Sequence, residues 1–263
     1  MTTSAIALAD SATMLRRNLR RMRRYPSLTT FIAGIPVVLL LLFVYVFGGT
    51  LGAGLGLVSG GRAAYIEYVV PGILLITVAG AAQGTAISVA MDMTEGIIAR
   101  FRTMDIARVS VLTGHVVGSV IQTMLAIAIV MVVALVIGFR STTGPVEWVA
   151  ALGLLVLAAL AVSWLSVALG MVSKSVETAS NLPMFLILLP FMSSGFVPTG
   201  SMPDGLSWFA ENQPFTPLIE TVRGLLVGTP IGDSGALAVG WCVTISVGGY
   251  LWARRLYDRN PMP

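Results

Sequence analysis

Long apolar runs with almost no charge in them constrain this chain more than any other feature. Residues 28–47, 69–91, 109–139, 148–172 and 236–253 each reach or exceed the roughly 18 residues that suggest a membrane span, and residues 181–197 come close. A water-soluble domain has no way to hide so much apolar chain. Only 11% of the 263 residues are charged, against about 25% in an average soluble domain. The mean hydropathy is +0.89. The expected fold is an all-α integral membrane protein with six transmembrane helices. No polar stretch is long enough to build a separate core, so residues 1–263 form a single transmembrane domain. The one cysteine, Cys242, excludes an internal disulfide framework, and the one histidine, His115, cannot make a metal cluster alone.

Six spans put both termini on one face of the membrane. Thirteen of the sixteen Lys and Arg residues then fall on the side of the termini, and only Arg62, Arg140 and Arg223 on the other. The richer side is expected to be cytoplasmic, giving a multi-pass membrane protein with both termini inside. The basic balance of the chain is therefore a topology signal, and no nucleic-acid partner is expected.

Residues 11–25 read SATMLRRNLRRMRRY. At roughly 100° per residue, Leu15, Leu19 and Met22 share one face and six arginines fill the other. This is an amphipathic helix suited to lying on anionic membrane lipid. A signal peptide would show the same order of charge and apolar run, but run 28–47 exceeds the usual core of about 7–15 residues.

Two outer segments differ in kind. The Gly-rich FGGTLGAGLGLVSGG (47–61) lacks the G-x-G-x-x-G pattern and reads as a flexible loop rather than a phosphate cradle. Segment 198–234 carries two short helical patterns. Asp204 is the expected cap of the first, which holds Leu206, Trp208 and Phe209. Thr216 is the expected cap of the second, with Pro217 at its first position. Neither is long enough to cross a bilayer, so both are read as re-entrant or interfacial.

Catalytic patterns are missing. The spans hold hardly any ionisable groups, and Gln83, Gln122 and Asn181 are neutral residues of the kind that join helices. His115 reads as a satisfied histidine near the cytoplasmic edge. No HExxH or GxSxG occurs, and GMVSKS around Lys174 has Ser173 where a phosphate-binding loop needs glycine. No catalytic, cofactor-binding or metal-ligating residue is expected in the chain. If it drives transport uphill, a partner must supply the energy.

Charge does appear in EGIIARFRTMDIAR (95–108), between two apolar runs. On a helix, Ile97, Phe101 and Met104 share an apolar face, Glu95 and Arg102 lie opposite, and Arg100 and Asp105 flank them. A helix resting on lipid is usually uniformly basic. Mixed charge suits docking on a protein, where opposite charges set register.

With YIEYVVPGILLITV (65–78) and SSGFVPTGSMPDGLSWFAENQPFTPLIETVRGLL (193–226), this stretch resembles the membrane subunit of type-2 ATP-binding-cassette exporters, in particular the daunorubicin-resistance permease family. The resemblance covers nearly the whole chain. It implies an N-terminal interfacial helix (11–25) and a cytoplasmic coupling helix (95–108) in which Glu95, Gly96, Arg100, Phe101, Arg102, Met104 and Asp105 meet the ATPase. Asp105 departs from the pattern, since relatives commonly carry proline there. It further implies an outer re-entrant pair (198–234) forming a gate with Trp208, Phe209, Phe215, Pro217, Glu220 and Arg223. Two permease chains would work with two ATPase subunits, which bind the ATP and magnesium, to move a hydrophobic or amphipathic compound outward. The alternatives are an ion-coupled secondary transporter, which wants intramembrane charge or broken repeats, and a non-transporting membrane scaffold.

Overall fold

The computed structural model describes residues 26–54, 61–94 and 108–259. Among them the chain is helical with short connections. In order, α1 is Pro26–Leu42, continued by a π-helical turn Phe43–Phe47 and by α2, Gly48–Gly54. Then follow α3 (Arg62–Thr94), α4 (Arg108–Val136), α5 (Pro145–Val172), α6 (Val176–Asn181), α7 (Met184–Phe191), a 3-10 turn Thr199–Ser201, α8 (Asp204–Asn212), α9 (Phe215–Val227) and α10 (Ser234–Arg259).

Among the described residues, five stretches are long and apolar enough to cross a membrane: Ile32–Ala53, Arg62–Thr94, Leu112–Val136, Pro145–Val172 and Ser234–Asp258. Burial separates them into two layers. The most apolar windows of α3 and α5 are 72% and 61% buried within the chain, while the other three are only 22–33% buried. Helices α3 and α5 therefore form the centre, and α1, α4 and α10 present large aliphatic faces such as Val38, Val132 and Val247 outward. In a bilayer such faces meet lipid, so their exposure carries no cost.

Small residues let the inner helices approach closely, as helix contacts in membranes require. A Cβ on Gly170 of α5 would lie 2.6 Å from the Ala86 carbonyl oxygen of α3, and one on Gly249 of α10 would lie 2.8 Å from the Leu165 nitrogen of α5. Hydroxyls add a directed relay across the same helices. Ser163 donates to Ser119 Oγ at 2.9 Å, and Ser119 lies 2.6 Å from Thr85 Oγ1, which itself donates to the Ala81 carbonyl. With the Thr85 proton used on the backbone, Ser119 is the donor to Thr85, and α5, α4 and α3 are joined in one chain.

Several sequence expectations change here. The fifth apolar run is not one helix. Beyond Asn181, where α6 ends, only Met184–Phe191 of this run is helix (α7); Pro183 has no N–H to donate, so the helical hydrogen bonding is interrupted between the two although Leu182 keeps helical dihedrals. The two pieces, spanning Val176–Phe191, would rise about 24 Å at 1.5 Å per residue, short of the roughly 30 Å hydrocarbon core. Gln83 of α3 donates to the Ser180 carbonyl at 3.0 Å and so satisfies backbone at the break. The Gly-rich stretch expected as a loop starts as helix, Gly48–Gly54; without water to compete, glycine's exposed backbone is best satisfied in helical hydrogen bonds. The second span runs beyond residue 91 to Thr94 and buries Asp92, whose Oδ2 lies 3.1 Å from His115 Nε2. His115 is the satisfied histidine expected, and the acid that satisfies it lay just outside the run that hydropathy marked.

Candidate functional site

One end of the molecule gathers most of the non-helical backbone: residues 192–203, the α4–α5 loop and the α9–α10 loop. There α8 and α9 form a wedge of short helices tied to the turn after α7 and to the long helices by polar side chains.

The first helix begins at Asp204 itself, with Pro203 rather than Asp204 in the capping position and no side-chain cap. Asp204 still places negative charge on the first turn, where the helix dipole favours it. The second begins at Phe215, one residue before Thr216, so Thr216 and Pro217 lie inside the first turn and Pro214 holds the cap position. The Thr216 hydroxyl has a different task from the expected one. It donates to the Ala210 carbonyl at 2.5 Å, closing α8 onto α9, and accepts the Ser194 N–H at 3.4 Å. Helix α9 ends at Gly228, whose φ of 82° supplies the left-handed cap that side chains resist.

Arg223 is the centre of this region. Its Nη2 donates to the Ser194 carbonyl at 2.7 Å and to the Tyr68 carbonyl at 3.1 Å, and Nε reaches Tyr68 at 3.3 Å. The guanidinium carbon stands 3.9 Å above the Tyr68 ring centroid. One side chain thus holds α9, the turn after α7 and the N-terminal part of α3 together. Burial lowers its pKa from the ordinary value, with the Tyr68 and Glu220 side chains acting the other way; an arginine keeps its charge under such pressure. Glu220 accepts from Ser234 Oγ at 2.8 Å and ties α9 to the start of α10. Gln213 donates to the Leu189 and Met192 carbonyls at 2.9 and 3.0 Å, satisfying the end of α7.

Apolar contacts complete the wedge. Phe215 and Pro217 are buried, as is Ile219 beneath them. Gly72 of α3 meets Gly195 so closely that a Cβ on Gly72 would lie 2.8 Å from the Gly195 carbonyl oxygen. Phe196 stacks on Phe191 (centroids 5.1 Å apart, planes 9° from parallel) and packs on Phe43 of the π-helical turn at 4.5 Å.

Of the expected outer residues, Phe215, Pro217, Glu220 and Arg223 therefore come together on α9. Trp208 and Phe209 do not: Trp208 is 68% exposed and Phe209 also faces outward from α8. The expected ATPase-facing residues Glu95, Gly96, Arg100, Phe101, Arg102, Met104 and Asp105 lie outside the described residues, as does the basic helix 11–25. Sequence reasoning missed Gln213, Ser194 and the π-helical turn. Gln213 and Ser194 act through backbone carbonyls that no local pattern reveals, and a π-helical turn inside a uniformly apolar run leaves no periodicity to read.

Among the described residues no group of three His, Cys, Asp or Glu side chains is placed to hold a metal. The region consists of short helices pinned at defined points by Arg223, Glu220, Gln213 and Thr216.

The family described as ABC-2 type transporter matches residues 11–227. The chain is 28% identical to the daunorubicin resistance ABC transporter permease protein DrrB1 of Streptomyces coeruleorubidus, over 93% of this chain and 83% of that one. It is 24% identical to the probable doxorubicin resistance ABC transporter permease protein DrrC of Mycobacterium tuberculosis (strain CDC 1551 / Oshkosh), over 87% of this chain and 81% of that one. The match spans the central helices, the α6–α7 break and the wedge alike, and the chain belongs to the ABC-2 type transporter family.

Proposed function

We propose that this chain is the membrane-spanning permease of an exporter that moves a hydrophobic or amphipathic compound, of the drug or lipid class, out of the cell. It works as one of two permease chains and carries no nucleotide site of its own. Two copies of a separate ATPase bind ATP and magnesium. Residues 95–108 transmit their closure to the cytoplasmic ends of α3 and α4. The α6–α7 pair makes the remaining crossing as a broken span, and α8 and α9 are a re-entrant gate at the outer face. Both termini are cytoplasmic.

The observation that carries this proposal is the family match across residues 11–227. The named drug-resistance relatives support a hydrophobic cargo, and so do inner helices nearly free of charge. Coupling to an ion gradient draws on one feature, the Asp92–His115 pair. That pair sits near the ends of its helices and is internally compensated, which favours a structural role over an ion path.

Purified permease, its co-expressed ATPase and both together, each in proteoliposomes, test the reading. ATP-dependent movement of an anthracycline-like probe should require both proteins, and the permease alone should hydrolyse no ATP. Hydrolysis by rigorously purified permease, or uptake driven by a proton gradient without ATP, would overturn it.

A further inference from the structure

Helices α4, α5 and the end of α9 enclose an apolar cleft of about 260 Å³, lined on one wall by Met124, Ala128 and Met131 and on the other by Trp148, Leu152 and Leu155. Its exposed lining side chains, Val132 and Leu152 among them, open it to the surface that meets hydrocarbon. Water has no hydrogen-bonding partner in such a space. From Met124 to Val132 the cleft follows α4 for roughly 12 Å at 1.5 Å per residue. The two methionines give it a deformable wall.

One end of the cleft is polar, and its position is fixed. Trp148 lines the cleft with its ring while its Nε1 donates to Ser141 Oγ at 3.0 Å. An amphipathic ring placed this way marks the boundary between hydrocarbon and head groups. Ser141, Thr142 and Thr143 donate to the Leu226, Val227 and Leu225 carbonyls at 2.7, 2.6 and 2.7 Å, which seals the loop onto α9. Beside Ser141 stands Arg140, exposed, with only Nη1 engaged, on the Leu135 and Phe139 carbonyls at 3.1 Å each. Those bonds pin the guanidinium at the end of α4. Its Nε and Nη2 edge has no partner among the described residues, and that edge is the one that grips a phosphate bidentately. Glu147, on the first turn of α5, supplies the opposite charge across the same loop.

We propose that this cleft is a binding site for one membrane glycerophospholipid, with an acyl chain lying between α4 and α5, the phosphate on Arg140 and a head-group ammonium toward Glu147. The site rests on the chain spanning a membrane and not on what it transports. Bound lipid would fill the cleft and fix the α4–α5 hairpin against α9.

The test uses the purified full-length permease, delipidated in detergent, re-exposed to phosphatidylethanolamine and read by native mass spectrometry. Wild type should retain one lipid through washing. It should retain neither diacylglycerol, which lacks the phosphate, nor a short-chain phosphatidylethanolamine, which lacks the tail. Arg140→Gln should weaken retention about tenfold, the loss expected for one charge-assisted contact. Ala128→Phe, a change on an exposed lining position, should block the tail to a similar degree while leaving the melting temperature unchanged. Retention unaltered in both variants, or diacylglycerol held as firmly as phospholipid, would overturn the site. So would efficient cross-linking between chains through Ala128→Cys, which would assign the cleft to a second copy.

Discussion

Replacing Arg223 is the sharpest test of the wedge, because three elements depend on one guanidinium. Arg223→Met keeps the aliphatic stem and removes donors to the Ser194 and Tyr68 carbonyls together with the contact over the Tyr68 ring. Hydrogen bonds from a charged donor are worth about 1.5–3 kcal/mol in soluble proteins, but polar contacts between membrane helices average nearer 0.6 kcal/mol. Taking about 1 kcal/mol for each carbonyl, and a further ~1 kcal/mol for the partly buried cation–π contact, gives an expected loss of about 3 kcal/mol. Tyr68→Leu removes only the ring, so it should cost about 1 kcal/mol, and the double mutant should cost less than the sum of the two. Arg223→Lys restores charge but not the fork and should recover part of the loss. Stability is read by reversible denaturation in mixed micelles, and function by ATP-dependent export from the assembled complex. The wedge would loosen before the long helices do, so export should fall more steeply than global stability. The reasoning fails if Arg223→Met lies within about 0.5 kcal/mol of wild type, the range of an ordinary surface change, and exports normally.

A bulkier side chain at Gly72 should be poorly tolerated, since Gly72→Val drives a Cβ against the Gly195 backbone; a loss of about 1–3 kcal/mol by thermal melting is expected, as for other overpacked contacts. Arg102→Glu and Glu95→Arg, placed between α3 and α4 outside the long apolar runs, should reduce co-purification of the ATPase at matched expression and normal detergent stability, with losses toward the 2–5 kcal/mol (roughly) of a desolvated interfacial pair. Undiminished co-purification of both at two salt concentrations would remove the coupling assignment. In a Cys242→Ser background, a cysteine at Ser201 should react with an impermeant maleimide added to intact cells and one at Thr103 should not; the opposite pattern would invert the topology.

How much of this was written in the sequence differs from element to element. Hydropathy alone fixed the class of the protein and the approximate location of α3, α4, α5 and α10, because hydrocarbon forces backbone hydrogen bonds inside each segment, and a helix then follows from apolar length. The short helices α8 and α9 were legible too, since Pro and Asp mark helix starts and the apolar spacing of Leu218, Val222 and Leu225 follows the turn. Their starts were placed late, by one residue for α8 and by two for α9; in α9 the Thr216 hydroxyl bonds to Ala210 and Ser194, partners outside the helix's own first turn, rather than to the local N–H groups that a cap would use.

Tertiary contact decided the rest. The interruption at Pro183 was not anticipated from the sequence, and Gln83 reaching the Ser180 carbonyl shows how backbone there is satisfied away from water. Arg223 was named from the sequence as part of an outer gate, and Trp208 with it; nothing local separates a side chain that bonds to two remote carbonyls from one that faces outward. Asp92 stood just beyond the margin of an apolar run, and its burial is matched by His115 on the next helix, 3.1 Å away. Sequence periodicity records the surroundings each helix face meets, and here both the lipid-facing and the protein-facing sides are apolar. It carries little about which apolar face turns toward a neighbour, and that choice is made by close-packed glycines, hydroxyl relays and single charged side chains acting across segments far apart in the chain.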